Sequence, residues 1–258
     1  MKKSLTTILF MVIITVIFIS ALASINELSK TRILQNQKLD EYKSILYAFG
    51  IFPKEYPEQL LSRTSTTADI KWRNPDQITE YIETYTRTLT LPVNAHQRQL
   101  LNTSFLSWQD SVEIVLCRND AGDIVACGFP LKGKGLWGTL EAFVAIKADL
   151  SAMVGIDFTE QVETPGLGAR ITETEFKSYF RNLDLTGFYR KETQTAPIIM
   201  VQRKEQSNIE RATNSLQAIT GATQTCSGVL AMLNTDLAFY IDVLRQNSER
   251  LQRGKYAW

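Results

Sequence analysis

The spacing of apolar residues divides this chain into stretches of different character. Behind Lys2 and Lys3, the run from Ser4 to Ile25 carries no charge and is rich in Ile, Val, Phe and Leu. About 20 apolar residues in a helix cross the core of a bilayer, so this run predicts a single N-terminal transmembrane helix. Ala21-Leu22-Ala23 also has the small-residue character of a signal-peptide cleavage site. The run exceeds a usual signal h-region, however, and an amphipathic stretch follows at once, which favours an uncleaved anchor. From Asn26 to about Phe52, Ile33, Leu34, Leu39, Tyr42, Ile45, Leu46 and Phe49 recur at helical spacing, and Gly50 and Pro53 end the pattern. The stretch from Pro53 to about Ser107 has no dominant period. Its legible pieces are short helices around Asp76–Thr86 and His96–Leu101.

At Asp110 the pattern turns to strands. Val112–Cys117 and Ile124–Phe129 flank the turn sequence Asn119-Asp120-Ala121-Gly122 and predict a hairpin. Leu140–Lys147, Ala152–Phe158 and Ala196–Gln202 read as further strands. Glu173–Leu183 reads as a helix with Phe176, Tyr179 and Phe180 on one face. Ser207–Leu216 reads as a helix with Ser207 as N-cap and Glu210 at the capping-box position. Val229, Leu233, Leu237, Tyr240 and Leu244 mark a final helix to about Arg250. Without regular βαβ alternation, the order of elements predicts an α+β fold: an antiparallel sheet with flanking helices, behind the transmembrane helix. The expected division is an anchor over 1–30, a membrane-proximal helix and elaboration over 31–107, and a domain over 108–258.

Composition narrows the function classes. With 44% hydrophobic and 21% charged residues, the chain can build a core. A net charge of +1 gives no electrostatic reason to expect nucleic acid. One histidine, His96, and three cysteines leave little for a protein-built metal site, and no nucleophile-elbow sequence supports a hydrolase. With the hairpin centred on Asp120-Ala121, Cys117 faces Ile124 rather than Cys127, so the cysteines are expected to be unpaired.

Three stretches carry candidate chemistry. Gly133-Lys134-Gly135-Leu136-Trp137-Gly138 sets an aromatic residue among glycines at the start of a strand. Glu163-Thr164-Pro165-Gly166-Leu167-Gly168 combines a rigid turn with residues that let a ligand approach the backbone. Thr220-Gly221-Ala222-Thr223-Gln224-Thr225 places hydroxyls and small residues at the start of the last helix, where free amides and the helix dipole suit a phosphate. The plain alternative for this last stretch is a helix N-cap. The Rossmann and P-loop contexts are absent.

Together with the anchor, these three motifs, in this order and spacing, resemble the covalent FMN-binding subunits of membrane respiratory complexes. The nearest likeness is to the C subunit of sodium-translocating NADH:quinone oxidoreductases, with the G subunit of Rnf-type complexes a shorter relative. The resemblance implies an electron-transfer subunit of the bacterial inner membrane, its flavin domain on the outer side, working among other subunits. It implies FMN joined by a phosphoester bond to the last threonine of the third motif, Thr225. A separate flavin transferase makes that bond from FAD with a divalent metal. By the same resemblance, Thr220, Gly221, Ala222 and Thr223 meet the phosphate and ribityl chain. Glu163, Thr164, Gly166, Leu167 and Gly168, with Leu136 and Trp137, line the flavin. No catalytic side chain is expected, since a flavin performs its own redox chemistry. One position departs from the family pattern: Gln217 stands where an acidic residue usually precedes the last motif by three positions. The alternatives are an Rnf-type or stand-alone flavoprotein, and an anchored interaction protein without flavin.

Overall fold

The computed structural model describes residues 2–53, 72–100, 110–189, 197–201 and 214–248. It separates into two compact units, residues 1–41 and 42–258. The anchor and the membrane-proximal pattern form one helix, α1 (Lys2–Phe49). It ends as its sequence requires. Gly50 takes φ +73, its amide donates to the Tyr47 carbonyl at 3.0 Å, and Ile51 donates to the Leu46 carbonyl at 2.9 Å. This is the Schellman closure that a glycine permits. Two described helices are long and apolar enough to cross a membrane; α1 is one, its apolar window wholly exposed, and the other is a largely buried core helix, Thr223–Gln246.

In the second unit, a five-stranded antiparallel sheet runs in sequence order: β1 (Thr86–Pro92), β2 (Ser111–Arg118), β3 (Ile124–Lys134), β4 (Thr139–Lys147) and β5 (Met153–Glu160). Strand β1 comes from the stretch without a dominant period, so the sheet begins before residue 108. It follows α2 (Pro75–Tyr85) directly, and α3 (Ala95–Leu100) follows it. The Asn74 side chain caps α2 by accepting from the Gln77 amide at 2.8 Å, with Pro75 in the first turn. The hairpin register differs from the sequence expectation. Arg118 pairs with Ile124, and an irregularity beside it brings Cys117 opposite Ala126. All three cysteines are free and buried.

Alternation along the strands supplies two apolar faces. Val112, Ile114 and Leu116 of β2 and Leu140, Ala142, Val144 and Ile146 of β4 enter the main core. The final helix, α5 (Thr223–Gln246), covers that face, and the Tyr240 ring stacks on Phe129 of β3 at 3.9 Å between centroids. On the opposite face, Cys117, Ala126, Phe143 and Ala145 meet Ile45, Ala48 and Phe49 from the last turns of α1. The sheet is thus clad on both sides. Beyond β5, the aromatic stretch forms a helix only over α4 (Thr174–Ser178), with Phe176 and Phe180 buried. Lys177 of α4 is wholly buried, pairs with Asp157 of β5 at 2.8 Å, and lies 4.0 Å above the Tyr47 ring.

Two short strands, β6 (Ile199–Val201) and β7 (Ser215–Gln217), form a separate parallel pair. The helix expected over Ser207–Leu216 is therefore corrected at its end: Ser215 and Leu216 are in a strand, and residues 207–213 lie outside the described residues.

Candidate functional site

Three turns converge at one end of the sheet. The first joins β3 to β4: the Gly135 amide donates to the Gly138 carbonyl at 2.7 Å, so Gly135-Leu136-Trp137 form the turn before β4 and not its opening residues. The second follows β5. Leu167 donates to the Thr164 carbonyl at 3.1 Å, with Pro165 second and Gly166 third at φ +74. That residue order and positive φ belong to a type II turn. The third precedes α5. Ala222 donates to the Ile219 carbonyl at 3.1 Å across Thr220 and Gly221, the latter at φ +82.

Side chains fasten the three turns together. Glu163, 5% exposed, accepts on one carboxylate oxygen from the Trp137 amide at 3.0 Å. On the other it accepts from the Thr225 hydroxyl at 2.5 Å, and Thr225 is 1% exposed. No lysine or arginine among the described residues pairs with this carboxylate; hydrogen bonds to it replace the lost water. The Trp137 indole donates to the Thr164 hydroxyl at 3.0 Å. The Ile219 amide donates to the Cys226 sulfur at 3.3 Å, which gives this cysteine a structural task. Burial raises the Cys226 thiol above its ordinary range, and the amide bond only partly offsets this.

A cavity of about 210 Å³ lies among these turns. Its walls are Leu136 from the first turn; Glu163, Thr164, Leu167 and Gly168 from the second; and Gly221, Ala222, Thr223, Gln224 and Thr225 from the third. Nine of the residues singled out in the sequence therefore meet there. Trp137, Gly166 and Thr220 are not wall residues: Trp137 stands at the rim, 68% exposed, and the other two occupy exposed turn positions. Gln224 escapes the sequence reading because it fills the variable place of its motif; its position in the first turn of a helix is the available signal. Gln217 ends β7 opposite Val201 and is not a wall residue either.

The first three amides of α5 have no carbonyl one turn back to bond, and Thr223, Gln224 and Thr225 supply them at the cavity wall. No side chain caps this helix end. Gly168 lies over the Thr225–Glu163 pair. A Cβ at 168 would come within 2.5 Å of the Thr225 hydroxyl oxygen and 2.8 Å of the carboxylate, so only glycine lets the backbone lie there. Outside α1, the exposed large apolar residues among those described are Val125, Leu136, Trp137, Val162 and Leu167, and three of these belong to the first two turns.

Residues 135–238 match the FMN-binding domain. Among curated relatives, the C subunit of the Na(+)-translocating NADH-quinone reductase of Pasteurella multocida is 32% identical over 117 residues, 45% of this chain and 42% of that protein. Its namesake from Yersinia pestis is 35% identical over 124 residues, 48% of this chain and 44% of that protein. The matched segment spans less than half the length of these relatives. The crystal structure of Shewanella oneidensis NqrC superposes with a TM-score of 0.58 at 18% identity, covering 81% of this chain and 98% of that one. That of the same reductase's C subunit from Parabacteroides distasonis gives 0.59 at 20%, covering 83% and 96%. At these identities the structural likeness is one of fold. The α+β architecture is thus the one found in these proteins, and FMN is the cofactor of this domain.

The residues present fit that cofactor. Unpaired helix amides and hydroxyls suit a phosphate. Leu136 and Leu167, 50% and 43% exposed, offer apolar surface at the mouth for a ring too large for the cavity alone.

Proposed function

We propose that this chain is the anchored, FMN-carrying electron-transfer subunit of a sodium-translocating NADH:quinone oxidoreductase, with FMN esterified to Thr225. The observation that supports it most is Thr225 itself. Of the threonines in its motif, it alone is buried in the cavity wall and bonded to a buried carboxylate, while Thr220 and Thr223 are exposed. FMN supplies the electron chemistry when bound. The amides of Thr223, Gln224 and Thr225 hold its phosphate at the positive end of α5. Trp137, fixed through Thr164 and Glu163, braces the turn that carries Leu136 beside the ring. The apolar window of α1 spans the inner membrane once, and the flavin domain stands on its outer side. The other subunits of the complex, the flavin transferase and membrane lipid are the partners in this reading.

Expression of the full chain with a flavin transferase, followed by ultraviolet fluorescence on a denaturing gel and peptide mapping, tests it. The wild type gives a fluorescent band with flavin on the peptide containing Thr225. Thr225→Val abolishes the band, whereas Thr223→Val at least partly keeps it. The reverse pattern would move the attachment point by two residues. Gln217, in place of an acidic residue, favours a second reading: an interaction protein of the same fold that has lost its flavin. A dark wild-type band that brightens in Gln217→Asp locates the loss at that residue. A band dark in both, with a competent transferase, selects the interaction protein.

A further inference from the structure

The oxygen that would carry the flavin is covered. We infer that the segment Glu163–Gly168 is a strap closed over the acceptor hydroxyl, and that its opening limits the rate at which Thr225 is modified. This rests on the reading of Thr225 as the attachment residue.

Four consecutive exposed residues, Thr164 to Leu167, are flanked by two buried ones, Glu163 and Gly168, and both buried ends meet Thr225. Glu163 takes the hydroxyl proton into a hydrogen bond of 2.5 Å, which removes that oxygen's freedom to turn towards an incoming group. Gly168 fills the space above it so closely that a single added methyl would collide with the oxygen. Attachment joins Thr225 Oγ1 to the flavin-side phosphorus of FAD. The diphosphate P–O bond breaks, AMP leaves, and the hydroxyl proton passes to a base of the transferase. Such a displacement brings phosphorus within about 3–3.5 Å of the oxygen before bonding, on an open line of approach. With Thr225 1% exposed, the closed strap offers no such line.

The strap is held by a small set of bonds. The Trp137 indole grips Thr164, the Trp137 amide and Thr225 hydroxyl grip Glu163, and the turn closes through Leu167 and Ala169 onto the Thr164 carbonyl. Each is a bond that local opening can break without unfolding the sheet.

The test is the rate of fluorescent-band formation on the purified full-length apo chain, with transferase and FAD saturating. Thr164→Val removes the indole bond at the exposed side of the strap, and Glu163→Ala removes the latch on the hydroxyl. Each is expected to raise the rate constant, by about three- to tenfold for Thr164→Val, which loses one hydrogen bond of ordinary worth, and by at least as much for Glu163→Ala, which loses two. For the unaltered chain, urea well below the unfolding midpoint is expected to accelerate attachment as well, after correction for its effect on the transferase with a short acceptor peptide. Rates unchanged in both variants and in urea overturn the strap. A slower rate in Glu163→Ala, with native near-ultraviolet circular dichroism, also overturns it and assigns the carboxylate to the chemistry. If no version acquires flavin, the same rates are measured with Gln217→Asp added to each; if these too stay dark with a competent transferase, the reading of Thr225 fails instead, and the outcomes are thereby distinct.

Discussion

At the scale of single residues, Glu163 and Gly168 define the site as much as the threonine they cover. A buried carboxylate without a cation is tolerated because the Trp137 amide and the Thr225 hydroxyl both donate to it. Gly168 has a steric reason to be glycine. Gly168→Ala is expected to lower the unfolding free energy by about 1–3 kcal/mol, the usual cost of overpacking a tight contact. Urea unfolding of the full chain in detergent measures it, and an unchanged midpoint would show that the turn gives way freely. Much at this scale is legible in the sequence. The threonine motif and the Glu-Thr-Pro-Gly turn announce themselves by residue type, because positive-φ turns need glycine and helix starts need open amides. The bond joining Glu163 to Thr225 is not legible, since 62 residues separate them and only the folded sheet brings them together.

At the scale of elements, α4 shows how a short helix can be fixed by one charge. Lys177 is fully buried, paired with Asp157 and stacked over Tyr47, so it links α4, β5 and the end of α1. Removing one member of such a pair strands the other without water. Lys177→Met is therefore expected to cost about 3–5 kcal/mol, with Asp157→Asn of similar sign. In the double variant the losses should sum to less than their total, as a double-mutant cycle on the unfolding midpoints would reveal. From sequence, Lys177 reads as one more polar position between aromatic residues; its burial depends on where α1 ends. Strand β1 escapes a sequence reading for another reason. Its alternation of Thr with Leu is present, but one face carries Thr86, Thr88 and Thr90, Arg87 opens the face of Leu89 and Leu91 in place of an apolar residue, and its partner β2 begins only at Ser111. Strands β3 and β4 inside the sheet and β5 at its edge, apolar for long stretches, are plain.

At the scale of the molecule, a sheet covered on both faces buries groups that would otherwise titrate. Burial pushes the thiols of Cys117 and Cys127, on opposite faces, from 9.0 up to about 12. The folded chain then keeps protons that the unfolded chain releases. The sign follows: this contribution is complete below about pH 9 and is lost as pH climbs from there towards about 12. Unfolding midpoints should fall across that window, and Cys117→Ala with Cys127→Ala should flatten the fall. A midpoint independent of pH in that range would mean that the thiols are open to water. The fold class is readable at this scale from the order of strands and helices. That the membrane-proximal helix docks on the domain is readable from its apolar spacing, but that spacing does not say which face of the sheet receives Ile45, Ala48 and Phe49.

Trp137 adds a consequence of a different kind. Its indole stands at the cavity rim, 68% exposed, and is pinned to Thr164 at 3.0 Å. Indole emission overlaps flavin absorption, and a donor fixed beside an acceptor passes its excitation on without radiating. Loading the domain should therefore dim the light from this tryptophan and feed the yellow-green glow of the flavin. The chain carries its own optical gauge, built into the same turn that shapes the mouth of the cavity.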